Sequence, residues 1–234
     1  MKQELIKRLK TGVPGLDSLV NGGIPENSLV LLTGSTGTGK TTLAMQFLIE
    51  GIRHGEPGIY VSLEEAEEKT LLQMKLLGWP VDEYKAKGML LVSQPELYDF
   101  DKLINHIEDN VRKMKAKRLV LDSVSIISLY FQDRFKVRRA ILDLERTLKK
   151  LDCTTIAISE MPENSSAISL YGVEEFVVDG VILMHFIRRE NVFTRAISIR
   201  KMRGSEHSLK IHPLKIKSEE GIVVYPEEEI FTEL

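Results

Sequence analysis

A glycine-rich stretch at residues 34–42, Gly-Ser-Thr-Gly-Thr-Gly-Lys-Thr-Thr, carries the clearest chemical signal in the sequence. It directly follows the apolar run at residues 29–33. Glycines at this spacing let the backbone curl with its N–H groups pointing inward, and a following helix adds its positive amino end, so the stretch can cradle phosphates. An ordinary glycine turn is the alternative. The residues predicted to line the cradle are Ser35, Thr36, Gly37, Thr38, Gly39, Lys40, Thr41 and Thr42.

The residues that close this motif indicate the ligand. The pattern is G-x-x-x-x-G-K-[ST] between an apolar strand and a helix, which is the context that supports a phosphate-loop interpretation. In such a loop Lys40 reaches the β- and γ-phosphates, while the Thr41 hydroxyl coordinates Mg²⁺. The sequence therefore predicts a site for ATP, its product ADP and Mg²⁺.

An acidic residue at the end of a second apolar run completes the predicted metal site. Asp122 ends the run Arg-Leu-Val-Leu-Asp at residues 118–122. A carboxylate at the tip of a strand beside the phosphate loop can hold Mg²⁺ on the side away from the nucleotide. A short apolar run ending in Asp is common on its own, so the prediction depends on the phosphate loop. Together they predict Thr41 and Asp122 as the metal-side residues.

Two glutamates follow a third apolar run, at residues 59–63. A carboxylate at the carboxyl end of a strand, next to a phosphate loop, can orient and deprotonate an attacking water molecule. We therefore predict Glu64 and Glu65 as catalytic residues. Ser62 and Glu65 also have the S-x-x-E spacing of a helix capping box, so Glu65 has a structural interpretation that can coexist with the catalytic one.

Short apolar runs that alternate with longer amphipathic segments predict an α/β fold, with a mostly parallel twisted sheet covered by helices on both faces. The predicted parallel strands cover residues 29–33, 58–62, 89–93, 119–121 and 155–159. The first predicted helix starts near residue 40, and three further helices are predicted at residues 66–77, 100–114 and 135–151. After residue 159, strands at 177–185, 192–200, 209–214 and 222–225 follow one another without helices and predict an antiparallel extension at one edge. We find no linker or repeat, so one domain over residues 1–234 is expected.

Composition excludes several classes of protein. The net charge of −2 argues against whole-surface attraction to nucleic acid or anionic membranes, and a single cysteine excludes an intramolecular disulfide and a cysteine-cluster metal site. The first residues lack the apolar core of a signal peptide. The longest apolar stretch, residues 176–187, is shorter than the roughly 20 residues of a spanning helix. We therefore expect a cytoplasmic protein without a membrane segment.

These motifs together resemble the KaiC/RecA/RadA superfamily, most closely the single-domain KaiC-like ATPases common in archaea. The resemblance is carried by residues 11–17 (TGVPGLD), 22–25 (GGIP), 34–42, 61–65 (VSLEE), 119–123 (LVLDS), 171–176 (YGVEEF) and 201–207 (KMRGSEH). It implies a RecA-like P-loop fold and an ATPase (ATP phosphohydrolase) activity. It also implies self-association into a ring, a hexamer, whose active sites are shared between subunits.

The resemblance also implies roles for single residues. Glu64 and Glu65 match the paired catalytic glutamates, and Asp122 matches the Walker B aspartate. Lys201 and Arg203 match a basic pair that touches the γ-phosphate of the neighbouring subunit, and strand alternation agrees, since residues i and i+2 share a face. A solvated strand face is the alternative for this pair. The positions that match contacts to the sugar and base from the adjacent subunit are Ser205 and His207.

One departure from the family pattern bears on a second activity. The autophosphorylated half of the clock protein carries adjacent Ser and Thr where this chain has Glu175 and Phe176. Neither residue accepts a phosphoryl group in that way, so autokinase activity is not expected. The serines in the preceding polar loop, Ser165, Ser166 and Ser169, are interpreted as turn formers. The chain has one such domain where the clock protein has two, so clock function is not implied.

Two alternative functions stay open. The first is a recombinase paralogue that binds nucleic acid, because Arg134, Lys136, Arg138 and Arg139 form a basic cluster that would repeat around a ring. Asp143 and Glu145 on the same predicted helix offer ordinary ion pairing instead. The second alternative is a scaffold that binds ATP without hydrolysing it.

Overall fold

A nine-stranded mixed sheet forms the centre of the structure, a computed structural model that describes residues 6–95, 99–131, 133–161, 167–189 and 191–228. The strands in chain order are β1 (Arg8–Leu9), β2 (Ile24–Pro25), β3 (Leu29–Gly34), β4 (Gly58–Ser62), β5 (Leu90–Ser93), β6 (Arg118–Asp122), β7 (Thr154–Glu160), β8 (Gly180–Arg189), β9 (Val192–Met202), β10 (His212–Lys217) and β11 (Gly221–Val224). The helices are α1 (Leu16–Leu19), α2 (Lys40–Arg53), α3 (Glu67–Leu76), α4 (Val81–Ala86), α5 (Phe100–Met114), α6 (Ile127–Tyr130), α7 (Arg134–Lys150) and α8 (Glu174–Val177), with a 3-10 turn at Val124–Ile126.

The sheet has the order β11-β10-β9-β8-β3-β7-β6-β4-β5. The strands from β8 to β5 in this order are parallel, while β9, β10 and β11 continue the sheet in antiparallel fashion. β1 and β2 form a separate antiparallel pair. The predicted α/β architecture, with a mostly parallel sheet and a C-terminal antiparallel extension, is confirmed.

Alternate residues of the central strand β3 feed two hydrophobic cores. Val30 and Leu32 pack in the core under α2, whereas Leu29 and Leu31 pack in the core that includes α5 and α7. Successive side chains of a strand point to opposite faces, so a strand between two helical layers must be apolar at every position. This requirement explains why the parallel strands appear in the sequence as continuous apolar runs.

The start of β8 differs from the sequence-based prediction. A strand was predicted from residue 177, but Glu174–Val177 is the short helix α8 and β8 begins at Gly180. Similarly, the strand predicted from residue 209 begins at His212. Both predictions were wrong because a short apolar run alone does not distinguish a strand from a helical turn or an extended loop.

Within the described residues, no helix is long and apolar enough to span a membrane.

The strand directions place two parts of the chain at opposite edges of the sheet. Gly34, at the carboxyl end of β3, pairs with Met184, while Val30 pairs with Gly180. β9 returns antiparallel, and its last residue, Met202, also pairs with Gly180. The four residues from Val30 to Gly34 correspond to roughly 13 Å along a strand. The loop after β3 therefore lies at the carboxyl edge of the parallel strands, and the segment after β9 lies at the amino edge.

Candidate nucleotide site

The loop between β3 and α2 has the backbone that a phosphate cradle requires. Gly37 (φ 76°) and Gly39 (φ 107°) lie in the left-handed region, which favours glycine. A Cβ atom on Gly34 would come within 2.4 Å of the Met184 carbonyl oxygen, so the loop leaves β3 where only glycine fits. The buried Thr38 hydroxyl donates a hydrogen bond of 2.8 Å back to the carbonyl of Ser35 and closes the turn.

Lys40 begins α2 and folds back over this loop. Its Nζ donates to the carbonyl oxygens of Gly34 at 2.9 Å and Ser35 at 3.0 Å. Burial lowers the pKa of Lys40, and three carboxylates oppose that shift: Glu160, Asp122 and Glu64. The ammonium group is thus held at the mouth of the cradle by weak backbone acceptors. Thr42, the third residue of α2, is half-buried.

Asp122 at the end of β6 meets the first turn of α2. Its Oδ2 atom accepts a hydrogen bond of 3.1 Å from the Thr41 hydroxyl and a second hydrogen bond from the hydroxyl of Tyr60. Burial raises the pKa of Asp122, and these two hydrogen bonds counteract the shift. Burial also raises the pKa of Tyr60, as does the charge of Asp122. A hydroxyl and a carboxylate side by side are hard oxygen ligands of the kind Mg²⁺ prefers, so Thr41 and Asp122 fit a magnesium site.

Glu64 lies beyond the end of β4, is exposed to solvent, and lines a cavity together with Lys40 and Thr41. The Ser123 hydroxyl donates to Glu64 Oε1 at 2.6 Å. One carboxylate oxygen is thereby fixed, while the side chain remains open to water. This is the position that a general base needs.

Glu65 is oriented differently from its neighbour. Its carboxylate forms an ion pair with Lys69 and accepts a hydrogen bond of 3.0 Å from Gln73. The predicted capping box does not form, because α3 starts after Ala66 without a side-chain cap, even though Ser62 Oγ accepts from the Glu65 backbone N–H at 3.0 Å. The Glu65 carboxylate is therefore committed to α3 side chains.

One cavity of about 220 Å³ brings seven of the predicted site residues together. It is lined by Thr36, Gly37, Lys40, Thr41, Ser62, Glu64, Glu65, Asp122, Ser123, Ile158 and Glu160. Sequence reasoning missed Ser123, Glu160 and the hydroxyl of Tyr60. The first two could have been found, since Ser123 directly follows β6, Glu160 ends β7, and the carboxyl ends of parallel strands meet on one side of the sheet.

Comparison with known proteins decides the family. Residues 9–229 match the protein family described as "ATPase: KaiC". The chain belongs to this KaiC family of ATPases. The UPF0273 proteins of Thermotoga maritima and Pyrococcus horikoshii are 36% and 37% identical to it, over 96% and 95% of this chain and 98% and 96% of their own lengths. The circadian clock protein KaiC3 of Synechocystis is 36% identical over 94% of this chain, which covers 46% of KaiC3.

A solved structure shows the same architecture. The crystal structure of a KaiC-like protein from Pyrococcus horikoshii matches with a TM-score of 0.87 and 40% sequence identity, over 94% of this chain and 100% of the other. The RecA-like fold of the KaiC family, predicted from the motifs, is therefore confirmed.

The KaiC-like basic pair does not join the cavity of its own chain. Lys201 Nζ donates to the backbone carbonyls of Glu175 at 3.1 Å and Val178 at 2.6 Å, and Arg203 contacts Asp179 Oδ1 at 3.2 Å. Burial lowers the pKa of Lys201, and the neighbouring charge of Arg203 lowers it further. Both cations therefore lie at the carboxyl end of α8, on the side of the sheet where the parallel strands begin.

Ser205 and His207 follow this pair on the same edge. The Ser205 hydroxyl donates to the carbonyl of Val20 at 3.2 Å, and His207 Nδ1 lies 3.0 Å from the carbonyl of Ser208. Within the described residues, the structure thus places the two groups of predicted site residues on opposite sides of the sheet, at the carboxyl and amino ends of its parallel strands. A single chain does not assemble them into one site.

A second cavity, of about 600 Å³, adjoins the phosphate loop on its other side. It is lined by Ser35, Thr36, Met161, His185, Phe186, Arg188 and Phe193. The guanidinium of Arg195 lies 5.1 Å from the ring centroid of Phe186, and its Nε donates to the Gly37 carbonyl at 3.1 Å. Phe193, with 63% of its surface exposed, packs edge-on against Phe186 at 5.9 Å. The β8–β9 hairpin is therefore tied directly to the phosphate loop.

Proposed function

We propose that this KaiC-family chain, as one domain over residues 1–234, binds Mg-ATP and hydrolyses it in a ring-shaped oligomer, a hexamer, whose sites are shared between neighbouring subunits. The observation that carries the proposal is the split of the site. Lys40, Thr41, Asp122 and Glu64 line one cavity, whereas Lys201 and Arg203 lie at the opposite edge of the sheet. Hydrolysis would drive a regulatory or assembly change in the ring.

Binding of the triphosphate uses groups that are already in place. The loop amides and the amino end of α2 offer a positive cradle, and Lys40 exchanges its two carbonyl acceptors for phosphate oxygens. Charged acceptors make stronger hydrogen bonds with an ammonium than neutral carbonyls do. Thr41 and Asp122 would hold Mg²⁺, which supplies charge neutralisation at the β- and γ-phosphates.

Hydrolysis then needs a base and a cation on opposite sides of the γ-phosphate. Glu64, held by Ser123 through one oxygen, is the group that accepts the proton of the attacking water. Glu65, paired with Lys69, orients the segment around that base. Lys201 and Arg203 of an adjacent subunit would approach the developing phosphate charge, and Ser205 and His207 of that subunit would reach the sugar and base.

Two substitutions test binding and hydrolysis separately. Glu64→Gln should lower kcat by about 10²- to 10⁴-fold with ATP binding retained, because only the base is removed. Lys40→Ala should abolish tight binding of a fluorescent ATP analogue. Glu68→Gln, at an exposed glutamate in the first turn of α3, is the matched control and should leave both properties unchanged. Equal turnover in wild type and Glu64→Gln would remove Glu64 as the base, and the absence of turnover in the wild type would favour an ATP-binding scaffold.

A second candidate function, binding of single-stranded nucleic acid, is favoured by the surface of α7. Phe135 is 85% exposed and is flanked by exposed cations: Arg134, Lys136, Arg138 and Arg139. An aromatic ring among cations is the combination that stacks bases and neutralises phosphates. Part of the cluster is paired within the helix, since Arg139 lies 3.9 Å from Asp143.

Oligonucleotide binding tests this second candidate. Fluorescence anisotropy with labelled single-stranded DNA should show an affinity that falls steeply with salt. Phe135→Ala should weaken this affinity by about 5- to 150-fold, since one stacked base contributes about 1–3 kcal/mol. Leu76→Ala, at another exposed apolar residue, is the control. Binding that is undetectable at low salt, or equally affected by both substitutions, would exclude a nucleic-acid site on α7.

A further inference from the structure

Tyr60 is a buried polar residue whose place in the strand aims it at the metal-side carboxylate. It is the third residue of β4, and its side chain is 1% exposed. In the pairing of β4 with β6, Tyr60 lies opposite Val120, and Ser62 lies opposite Asp122. Asp122 is therefore two residues further along the strand direction than Tyr60, on the same face of the sheet. That step is roughly 6.6 Å, a distance that a tyrosine side chain spans when it leans along its strand.

The hydrogen bonds at Asp122 divide its two oxygens into different roles. Oδ2 accepts from both Tyr60 and Thr41. Among the described residues, none donates a hydrogen bond to Oδ1. One oxygen is therefore fixed by the protein, and the other is left for a ligand.

The two donors to Oδ2 are not equivalent. Thr41 lies on the phosphate loop side and is itself expected to contact the cation through its oxygen, so its hydroxyl serves two partners. Tyr60 is anchored inside the core under α2 and has this carboxylate as its hydrogen-bond partner. The Tyr60 bond therefore holds the carboxylate in one rotamer whichever partner the Thr41 hydroxyl serves.

We propose that Tyr60 is a positioning residue for the metal site, which fixes the Asp122 carboxylate so that Oδ1 faces the bound cation. This inference rests on the proposed function, since it assumes that Asp122 serves Mg²⁺. Residues that orient metal ligands through a hydrogen bond typically change metal affinity by about 10- to 100-fold when they are removed. A merely structural role, in which Asp122 satisfies a buried phenol, would affect stability and not the cation.

The test compares ADP affinity with saturating Mg²⁺ and with EDTA, because ADP is not hydrolysed and the ratio of the two affinities reports the cation in the site. Tyr60→Phe keeps the ring and removes the hydroxyl. We expect its Mg²⁺-dependent gain in ADP affinity to fall by about tenfold or more, with ADP binding in EDTA within about twofold of wild type. A higher Mg²⁺ concentration for half-maximal turnover, with kcat restored at saturation, is the second readout.

Two control variants make each outcome decisive. Tyr84→Phe removes a phenol that packs against the same core away from the cavity, and it should leave the Mg²⁺ effect unchanged. Asp122→Asn should lose most of the effect. If Tyr60→Phe retains the wild-type ratio while Asp122→Asn loses it, the inference is overturned and the proposed function stands. If Asp122→Asn also keeps the ratio, the proposed metal site itself fails. Should Tyr60→Phe fold poorly, Tyr60→Met provides a second side chain without the hydroxyl, flexible enough to fill the core.

Discussion

The burial of Cys153 determines the reactivity of its thiol. Cys153 precedes β7, is 1% exposed and packs in the core that includes α5 and α7. Desolvation raises the pKa of its thiol to about 12. The thiolate is the reactive form of cysteine, so a buried thiol with a raised pKa behaves as a small hydrophobic residue.

Alkylation kinetics test this description of Cys153. The folded protein should react with iodoacetamide at pH 8.5 at least about 100-fold more slowly than the protein unfolded in guanidinium chloride, because an ordinary thiol is half ionised near that pH and this one is not. The rate in the folded state should keep rising above pH 10 instead of levelling off. A folded-state rate close to the unfolded one, as measured by mass spectrometry, would show that the thiol is accessible.

The sequence predicts those residues of the candidate site that belong to one short motif or can be found once that motif is known. Lys40 and Thr41 follow from the spacing of a single motif, and Asp122 follows once that motif is known. Tyr60 could not be found in this way, because its partner lies 62 residues away in sequence and meets it only through the pairing of β4 with β6. A sequence shows which side chains can donate, but the sheet register determines their partners.

At the scale of elements, a glycine joins the first motif of the chain to its last strand. Gly15 precedes α1 with φ 84°, and a Cβ atom there would come within 2.2 Å of the Val224 carbonyl oxygen on β11. The backbone N–H of Val224 in turn donates to the carbonyl of Pro14 at 2.9 Å. The motif at residues 11–17 is therefore a structural junction in this chain.

Replacing Gly15 by alanine should be strongly destabilising. The left-handed backbone costs alanine about 1–2 kcal/mol, and the clash with β11 adds about 1–3 kcal/mol of overpacking. Gly55→Ala is a matched control, because Gly55 has φ 80° but nothing within 4 Å of the added Cβ. Denaturant unfolding should thus show a loss of about 1–2 kcal/mol for Gly55→Ala and clearly more for Gly15→Ala. Equal losses would mean that β11 moves aside without cost.

Elements differed in how well the sequence predicted them. α5 spans Phe100–Met114, as predicted, because fifteen residues contain enough turns for helical periodicity to show. α8 has only four residues and lies at the start of an apolar run, so its period could not be separated from that of a strand. The amino-terminal pair β1 and β2 was missed because two-residue strands carry no alternation.

At the scale of the whole molecule, the chain exposes two surfaces that complement each other chemically. The carboxyl edge presents a phosphate cradle and acidic residues, and the amino edge presents Lys201 and Arg203 beside Phe176, which is 62% exposed. Surfaces that differ in this way join head to tail, and such contacts close into rings when the rotation allows. In the proposed ring, this arrangement would give every site one cavity and one basic pair.

Mixing two inactive variants tests the shared site directly. Arg203→Ala alone should lower turnover by about 10³-fold or more, as expected when a cation that stabilises the transferred phosphate is removed, and Glu64→Gln alone removes the base. When the two are produced together in equal amounts, a subunit with an intact Glu64 meets a neighbour with an intact Arg203 at about one quarter of the interfaces. Turnover should therefore recover to about one quarter of the wild-type rate per site if interfaces work independently.

The control for this recovery is a mixture that cannot form an intact site. Arg203→Ala produced together with the double variant Glu64→Gln/Arg203→Ala contains no intact basic pair, so it should stay inactive at every ratio while forming the same oligomer. Recovery in the first mixture but not in the second would require that Glu64 and Arg203 come from different chains. If neither mixture recovers although each variant co-purifies with a tagged copy of the other, Arg203 does not complete the site of a neighbour. A site contained within one chain is insensitive to which subunit lies beside it.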